Sequence, residues 1–397
     1  LISFNADEVR KQATASTRRF EEGSPLSILD GIFMPIKDDI DCYPHPTKGA
    51  TTWFHKVRPV KEDAICVSRL RSCGVIFIGK ANMHELGLGT TGINPHYGTS
   101  RNPHSVERYT GGSSSGPAAI VASGLCPAAL GTDGGGSIRI PSSLCGVVGL
   151  KTTYARTDMK GVLCDFGTVE IVGPLAATVE DIMLVYAAIS ISSPGDRINL
   201  NPLPCLSSLG SLRLGKYTDW FNDVYSTDLS DKCENVLSLL IILPELDEMR
   251  IGHIVSIGSE KLSLDTRFNL AFFQSFSATD YVAAQCLRRR IMHYHMEAFK
   301  KVDVIVTPTT GMTAPIIPPS ALKLGESNLQ MSGYLMRFIL AGNFLGLPAI
   351  SVPVGHDKQG LPIGLQLIGR PWGEATVLRL ASAVEELNRP STFYDVL

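Results

Sequence analysis

Apolar positions along this chain fall into two patterns that alternate from end to end. Short runs at 31–36, 75–79, 303–307, 349–354 and 363–368 are apolar on successive residues, which predicts central strands, because a half-wet strand would alternate polar and apolar. Segments 64–72, 178–188, 230–240, 278–300 and 374–387 instead repeat apolar residues at helical spacing. Helices and strands that alternate, rather than forming blocks, predict an α/β fold in which helices cover a sheet. The uncharged run 338–355 is divided by Gly346, Pro348 and Pro353 into a helix and a strand. No internal repeat appears.

One junction breaks the pattern. The helical segment ending at Leu240 runs into Ile241, Ile242 and Leu243 with no Gly, Pro, Asn or Asp to turn the chain. We expect loop residues to be missing from the sequence here, and again near 259–264; an intact mass with no excess over this sequence would remove that expectation.

Composition narrows the class. The 397 residues are 44% hydrophobic and 19% charged, enough to bury a large core and too apolar for disorder. A net charge of −2 supplies no field to draw the chain onto phosphate backbones, so a nucleic-acid partner is excluded. The nine cysteines are scattered, without a C-x-x-C pair or zinc-ligand spacing, which predicts reduced thiols and no metal. The chain opens on Leu1 with a polar stretch unlike a signal peptide, and an N-terminal segment is expected to be missing. Residues 109–132 carry no charge over a bilayer-spanning length, but Gly111, Gly112, Gly116 and Pro117 with three serines would break a helix in lipid. No membrane span is predicted.

The candidate chemistry lies between Thr110 and Ser143. Two small-residue loops, 110–116 and 132–137, flank an Ala-rich apolar stretch. Gly134, Gly135 and Gly136 precede Ser137 and free the backbone to turn N–H groups inward, as an oxyanion site requires. A serine attacks a carbonyl only if something takes its proton. Of nine histidines, His293 and His295 stand two apart on a helix and face different ways, as surface or groove residues would. Lys37 ends the apolar run 32–36, where burial would favour the neutral amine a base requires. Asp133 and Arg139 flank the second loop as a candidate ion pair.

Pro35-Ile36-Lys37-Asp38, Gly111-Gly112-Ser113-Ser114-Ser115-Gly116 and Asp133-Gly134-Gly135-Gly136-Ser137-Ile138-Arg139-Ile140-Pro141 resemble the amidase signature family in order and spacing. The likeness continues through Gly149-Leu150-Lys151-Thr152, Gly346-Leu347-Pro348-Ala349 and Gly360-Leu361-Pro362-Ile363-Gly364, covering most of the chain. It implies a mixed β-sheet between α-helices, one domain over 1–397, and a Ser-Ser-Lys triad. Ser137 is then the nucleophile, Ser113 the bridge and Lys37 the base and acid, with the N–H groups of Gly134 to Ser137 on the oxyanion and no cofactor. Residues 47–53, 79–87, 144–160 and 308–319 are similar to plant members that cleave lipid amides. That likeness implies a small lipid-amide substrate and an intracellular setting, and it allows a homodimer and peripheral contact with the endoplasmic reticulum or plasma membrane.

Three other readings compete. Gly112-Ser113-Ser114-Ser115-Gly116 fits G-x-S-x-G, the nucleophile elbow of α/β-hydrolase esterases, with Ser114 as nucleophile and His356 as late histidine; the elbow needs a buried strand before it, and 102–110 does not read as one. A glutamine-hydrolysing amidotransferase component of the same family is the second, and a non-catalytic binding module the third. Few charges near the loops favour an apolar acyl group, and intact Lys37, Ser113 and Ser137 oppose the binding module.

Overall fold

The computed structural model describes residues 1–163, 168–190, 212–240 and 262–388. Its strands are β1 (Phe33–Lys37), β2 (Ile76–Ala81), β3 (Arg101–Asn102), β4 (Ser105–Tyr109), β5 (Ala128–Thr132), β6 (Val148–Lys151), β7 (Val172–Ala176), β8 (Leu214–Lys216), β9 (Val304–Pro308), β10 (Ala349–His356) and β11 (Pro362–Gly369). Nine form one mixed sheet in the order β2-β1-β5-β7-β6-β10-β11-β9-β8, and β3 with β4 forms a separate two-stranded ladder. β1 runs parallel to both β2 and β5, whereas β7, β6, β10, β11 and β9 pair antiparallel in succession.

All five predicted strands are present, displaced by one or two residues, and β5, β7, β9 and β11 are buried throughout. Sheet strands β5, β6, β7 and β8 escaped the pattern. Their sequences, such as Val-Gly-Leu-Lys and Val-Gly-Pro-Leu-Ala, are short and rich in Gly, Ala and Pro, so β-branched enrichment is absent and tertiary pairing makes the strand.

Alternation along single strands separates two cores. Ala128 and Leu130 of β5, with Val172 and Ala176 of β7, join helices Ile65–Ser72, Val179–Ile189 and Glu374–Leu387 in one cluster. Ala129 and Leu175 point the other way, onto helices Ser115–Ala122 and Arg139–Cys145. The sheet is therefore covered on both faces, as a largely apolar sheet must be. Sequence signals set the ends of the longer helices: Thr178 accepts from the Asp181 N–H, and Ser277 with Asp280 forms a reciprocal capping box before Ala278–Lys301.

The uncharged stretch 109–132 is broken into the helix Ser115–Ala122 and strand β5, and 338–355 into the helix Leu340–Phe344 and β10. Among the described residues no helix is long and apolar enough to cross a membrane. Seven described cysteines are thiols rather than disulfides. His293 is exposed, but His295 is buried and its Nδ1 bonds the Ile291 carbonyl at 3.0 Å, so the second of the pair is a core residue rather than a surface one. The suspect junction leads into 241–261, outside the described residues.

Candidate active site

Parallel pairing brings the C-terminal ends of β1 and β5 side by side, and the site is built on those two ends. Lys37 is the last residue of β1 and Thr132 the last of β5. Both are fully buried. Lys37 Nζ donates to Thr132 Oγ1 at 2.6 Å and to Ser113 Oγ at 2.8 Å, and stands 2.9 Å from Asp39 Oδ2. Thr132 Oγ1 in turn donates to Asp39 Oδ2 at 2.8 Å. Lys37 is thus held at one point by two strands and a loop.

Ser113 lies between a glycine loop and the helix Ser115–Ala122. The Gly112 N–H donates to Thr90 O at 2.7 Å, and a Cβ on Gly112 would come within 2.6 Å of the Gly92 nitrogen. Only a glycine lets these backbones approach so closely. The Ser114 N–H donates to Ser137 O at 3.0 Å, which ties the loop carrying Ser113 to the loop carrying Ser137. The Ser137 hydroxyl has no hydrogen-bond partner among the described residues, and at 9% exposure it is the most open of the three predicted catalytic groups. Lys37 and Ser113 are joined by a hydrogen bond, and Ser137 meets them through backbone.

The turn bearing Ser137 is organised by Asp133. Its carboxylate accepts from the N–H groups of Gly136 at 2.7 Å, Ile138 at 3.2 Å and Arg139 at 3.3 Å, and from Arg139 Nε at 3.0 Å and Nη2 at 3.1 Å. Asp133 and Arg139 are both fully buried. The suspected pairing is real and internal. Burial alone would raise the Asp133 carboxyl, but the charge and hydrogen bonds of Arg139, with the amide of Asn343, hold it well below the usual carboxylate range. The Gly136 N–H is engaged by this carboxylate, whereas those of Gly134, Gly135 and Ser137 have no acceptor among the described residues. Gly136 is needed for another reason. Its φ is +101°, and a Cβ there would lie 2.5 Å from Ile339 Cγ2.

Residues far along the chain complete the support. Asn343 Nδ2 donates to Asp133 Oδ1 at 2.8 Å and to its carbonyl at 2.9 Å, its Oδ1 accepts from Arg139 Nη2, and Gln366 Oε1 accepts from Arg139 Nη1 at 2.6 Å. Nothing in the local sequence around Asn343 or Gln366 announces these contacts, since a lone amide has no periodic signature. Asp39 adjoins a recognised motif, and Thr132 ends a strand the pattern did not show. Lys151 is fully buried at the end of β6. Its burial, with Arg139 nearby, lowers its ammonium to about 7 despite Asp133.

The esterase elbow does not assemble. Ser114 is buried, its hydroxyl donates to Thr132 O at 3.3 Å, and no histidine meets it among the described residues. Residues Ser105–Tyr109 do form a strand, but in the separate ladder and partly exposed. His356 is exposed at the end of β10, against the ring of His104.

Fold and site together define an α/β enzyme whose polar centre is buried under two glycine-rich loops. The chain belongs to the amidase family, whose model matches residues 1–257 and 263–378, and it is an amide-hydrolysing enzyme. It is 67% identical to a fatty acid amide hydrolase of Medicago truncatula over 437 aligned positions, covering 100% of this chain and 72% of the relative. That alignment is longer than the chain's 397 residues, so the relative has internal residues this chain lacks. A component of the glutamyl-tRNA(Gln) amidotransferase of Sulfurihydrogenibium sp. is 33% identical, over 91% of this chain and 84% of the relative. A solved amidase crystal structure superposes with a TM-score of 0.83 at 27% identity, covering 98% and 92% of the two chains.

Proposed function

We propose that this chain, read as a single domain over 1–397, hydrolyses fatty acid amides, N-acylethanolamines and primary fatty amides among them, through an acyl-enzyme on Ser137. The observation that carries the reading is the 2.8 Å contact of buried Lys37 Nζ with Ser113 Oγ, one backbone hydrogen bond away from Ser137. As Ser137 Oγ attacks the amide carbonyl, its proton moves to Ser113, whose own proton moves to neutral Lys37. The N–H groups of Gly134, Gly135 and Ser137 are the donors on hand for the oxyanion. Lys37 then returns the proton through Ser113 to the leaving nitrogen, the C–N bond breaks, and an ester on Ser137 remains. Water attacks that ester by the same relay, releasing fatty acid and restoring the serine.

Two things favour an apolar acyl group over glutamine. Identity to the fatty acid amide hydrolase is twice that to the amidotransferase component. Ile140, Leu144, Met331, Leu335 and Ile339 also form an apolar cluster beside the nucleophile turn. Peripheral membrane contact, an intracellular site and a homodimer belong to this proposal on likeness to the same relatives.

Intact mass after a long-chain aryl fluorophosphonate, with N-acylethanolamine and glutamine hydrolysis in parallel, tests the reading. One adduct on wild type, none on Ser137→Ala, and fatty-amide turnover are expected. An adduct retained by Ser137→Ala, or glutaminase activity alone, would overturn it.

A further inference from the structure

Segment 82–90 braces the loop that carries Ser113. The Gly116 N–H donates to Asn82 O at 2.9 Å, the His84 N–H donates to Ser113 O at 3.1 Å, and the Gly112 N–H donates to Thr90 O at 2.7 Å. The His84 ring adds a tie by packing. A Cβ on Gly89 would lie 2.1 Å from His84 Cε1, and a Cβ on Gly112 would lie 3.0 Å from Gly89 O. Imidazole, Gly89 and Gly112 are therefore packed in that order, with Ser113 next in the chain.

The segment has little regular structure to fix its shape. It contains one short 3-10 turn, Glu85–Gly87, in which Leu86 stands at φ +52°, a left-handed conformation that a non-glycine residue keeps only where its surroundings impose it. Much of that surrounding is the helix Leu264–Gln274 and the residue before it. His84 Nε2 donates to Asp265 Oδ2 at 2.6 Å. Glu85 Oε2 accepts from the Ser263 N–H at 2.8 Å and from its hydroxyl at 2.6 Å, and Asn269 Nδ2 donates to Leu88 O at 2.8 Å. His84 and Asp265 are each 2% exposed, so water does not replace their bond when it is lost.

We propose that His84 is a positioning residue of the amide-cleaving site: locked by Asp265, it fixes segment 82–90 and through it holds Ser113 where one hydroxyl serves both Lys37 and Ser137. The inference rests on Ser113 being the proton bridge. His84 acts through two of its parts, the main-chain N–H on Ser113 O and the ring under Gly89. The 2.8 Å contact of Lys37 Nζ with Ser113 Oγ tolerates little displacement, because a proton passes only across a hydrogen bond of about 2.6–3.2 Å. Displacement weighs most on an amide. An amine departs only after the relay returns it a proton, whereas an aryloxide departs without one.

Steady-state kinetics on an N-acylethanolamine and on the p-nitrophenyl ester of the same fatty acid test this role. We expect His84→Ala to lower amide kcat about a hundredfold and ester kcat about tenfold, with each KM within about twofold of wild type, so that the amide-to-ester ratio falls about tenfold. His84→Gln keeps a donor toward Asp265 and should recover most of that ratio. Asp265→Ala removes the lock without altering the segment and should lower the ratio in the same direction, which keeps the test open if His84→Ala does not fold. A wild-type ratio in folded His84→Ala or Asp265→Ala protein, a loss confined to KM, or a Gln variant no better than Ala would overturn the proposal. A Ser113→Ala protein that keeps the wild-type ratio would instead overturn the bridging role on which it rests.

Discussion

Asn343 reaches Asp133 across 210 residues of sequence and bonds it twice, with Nδ2 donating to the carboxylate at 2.8 Å and to the main-chain carbonyl at 2.9 Å. The turn that carries Ser137 is therefore held by the C-terminal third of the chain as well as by its own glycines. Arg139 makes the same link through Gln366 at 2.6 Å. All four residues are buried, so each hydrogen bond lost leaves a partner that water does not reach.

Asn343→Ala should therefore cost about 2 kcal/mol or more of stability, because Asp133 and Arg139 each lose a buried partner. Chemical denaturation reads this directly. Fluorophosphonate labelling of Ser137 should slow in the folded variant, since the turn carrying Ser137 loses its distal tie.

Arg139→Met breaks a fully buried ion pair and should destabilise by about 3–5 kcal/mol at pH 7. The depressed Asp133 carboxyl gives the pH dependence its sign: its contribution is whole above the ordinary carboxylate value near pH 4 and is lost as pH falls through the folded value. The gap between wild type and Arg139→Met should be wide near pH 7 and narrow as pH falls, because without Arg139 burial raises the Asp133 carboxyl and the variant relieves the buried charge by protonating it, as followed by denaturant midpoints.

Gly136→Ala places a Cβ 2.5 Å from Ile339 Cγ2 and 2.7 Å from Ile140 Cδ1 at a φ of +101°. Strain and overpacking together should cost about 2–4 kcal/mol. Gly23→Ala, at φ +68° with open space around it, controls for backbone strain alone and should lose only about 1 kcal/mol in the same thermal melts.

Lys151 has its ammonium lowered to about 7 by burial. The unfolded chain binds the extra proton between that value and the ordinary 10.5, so this lysine makes stability rise with pH across the window. Lys151→Met removes that rise. Between pH 7 and 9 its stability relative to wild type should fall by up to about 2 kcal/mol, checked by urea unfolding at the two pH values.

The sequence by itself determined the fold class and singled out the candidate chemistry-bearing groups, because both are written locally. Lys37 follows an apolar strand, Ser113 and Ser137 follow glycines, and long helices such as Glu374–Leu387 repeat their apolar residues at the spacing that buries one face. Tertiary structure alone decided β5 to β8, whose short Gly- and Ala-containing segments become strands only when neighbours supply the hydrogen bonds. It also decided that Gly136 turns its N–H to Asp133, that His295 is a core residue, and that Asn343 and Gln366 stand around the site. Such contacts join residues tens to hundreds of positions apart, and no pattern within a helix turn or strand period carries the information that a sheet register uses to bring them together.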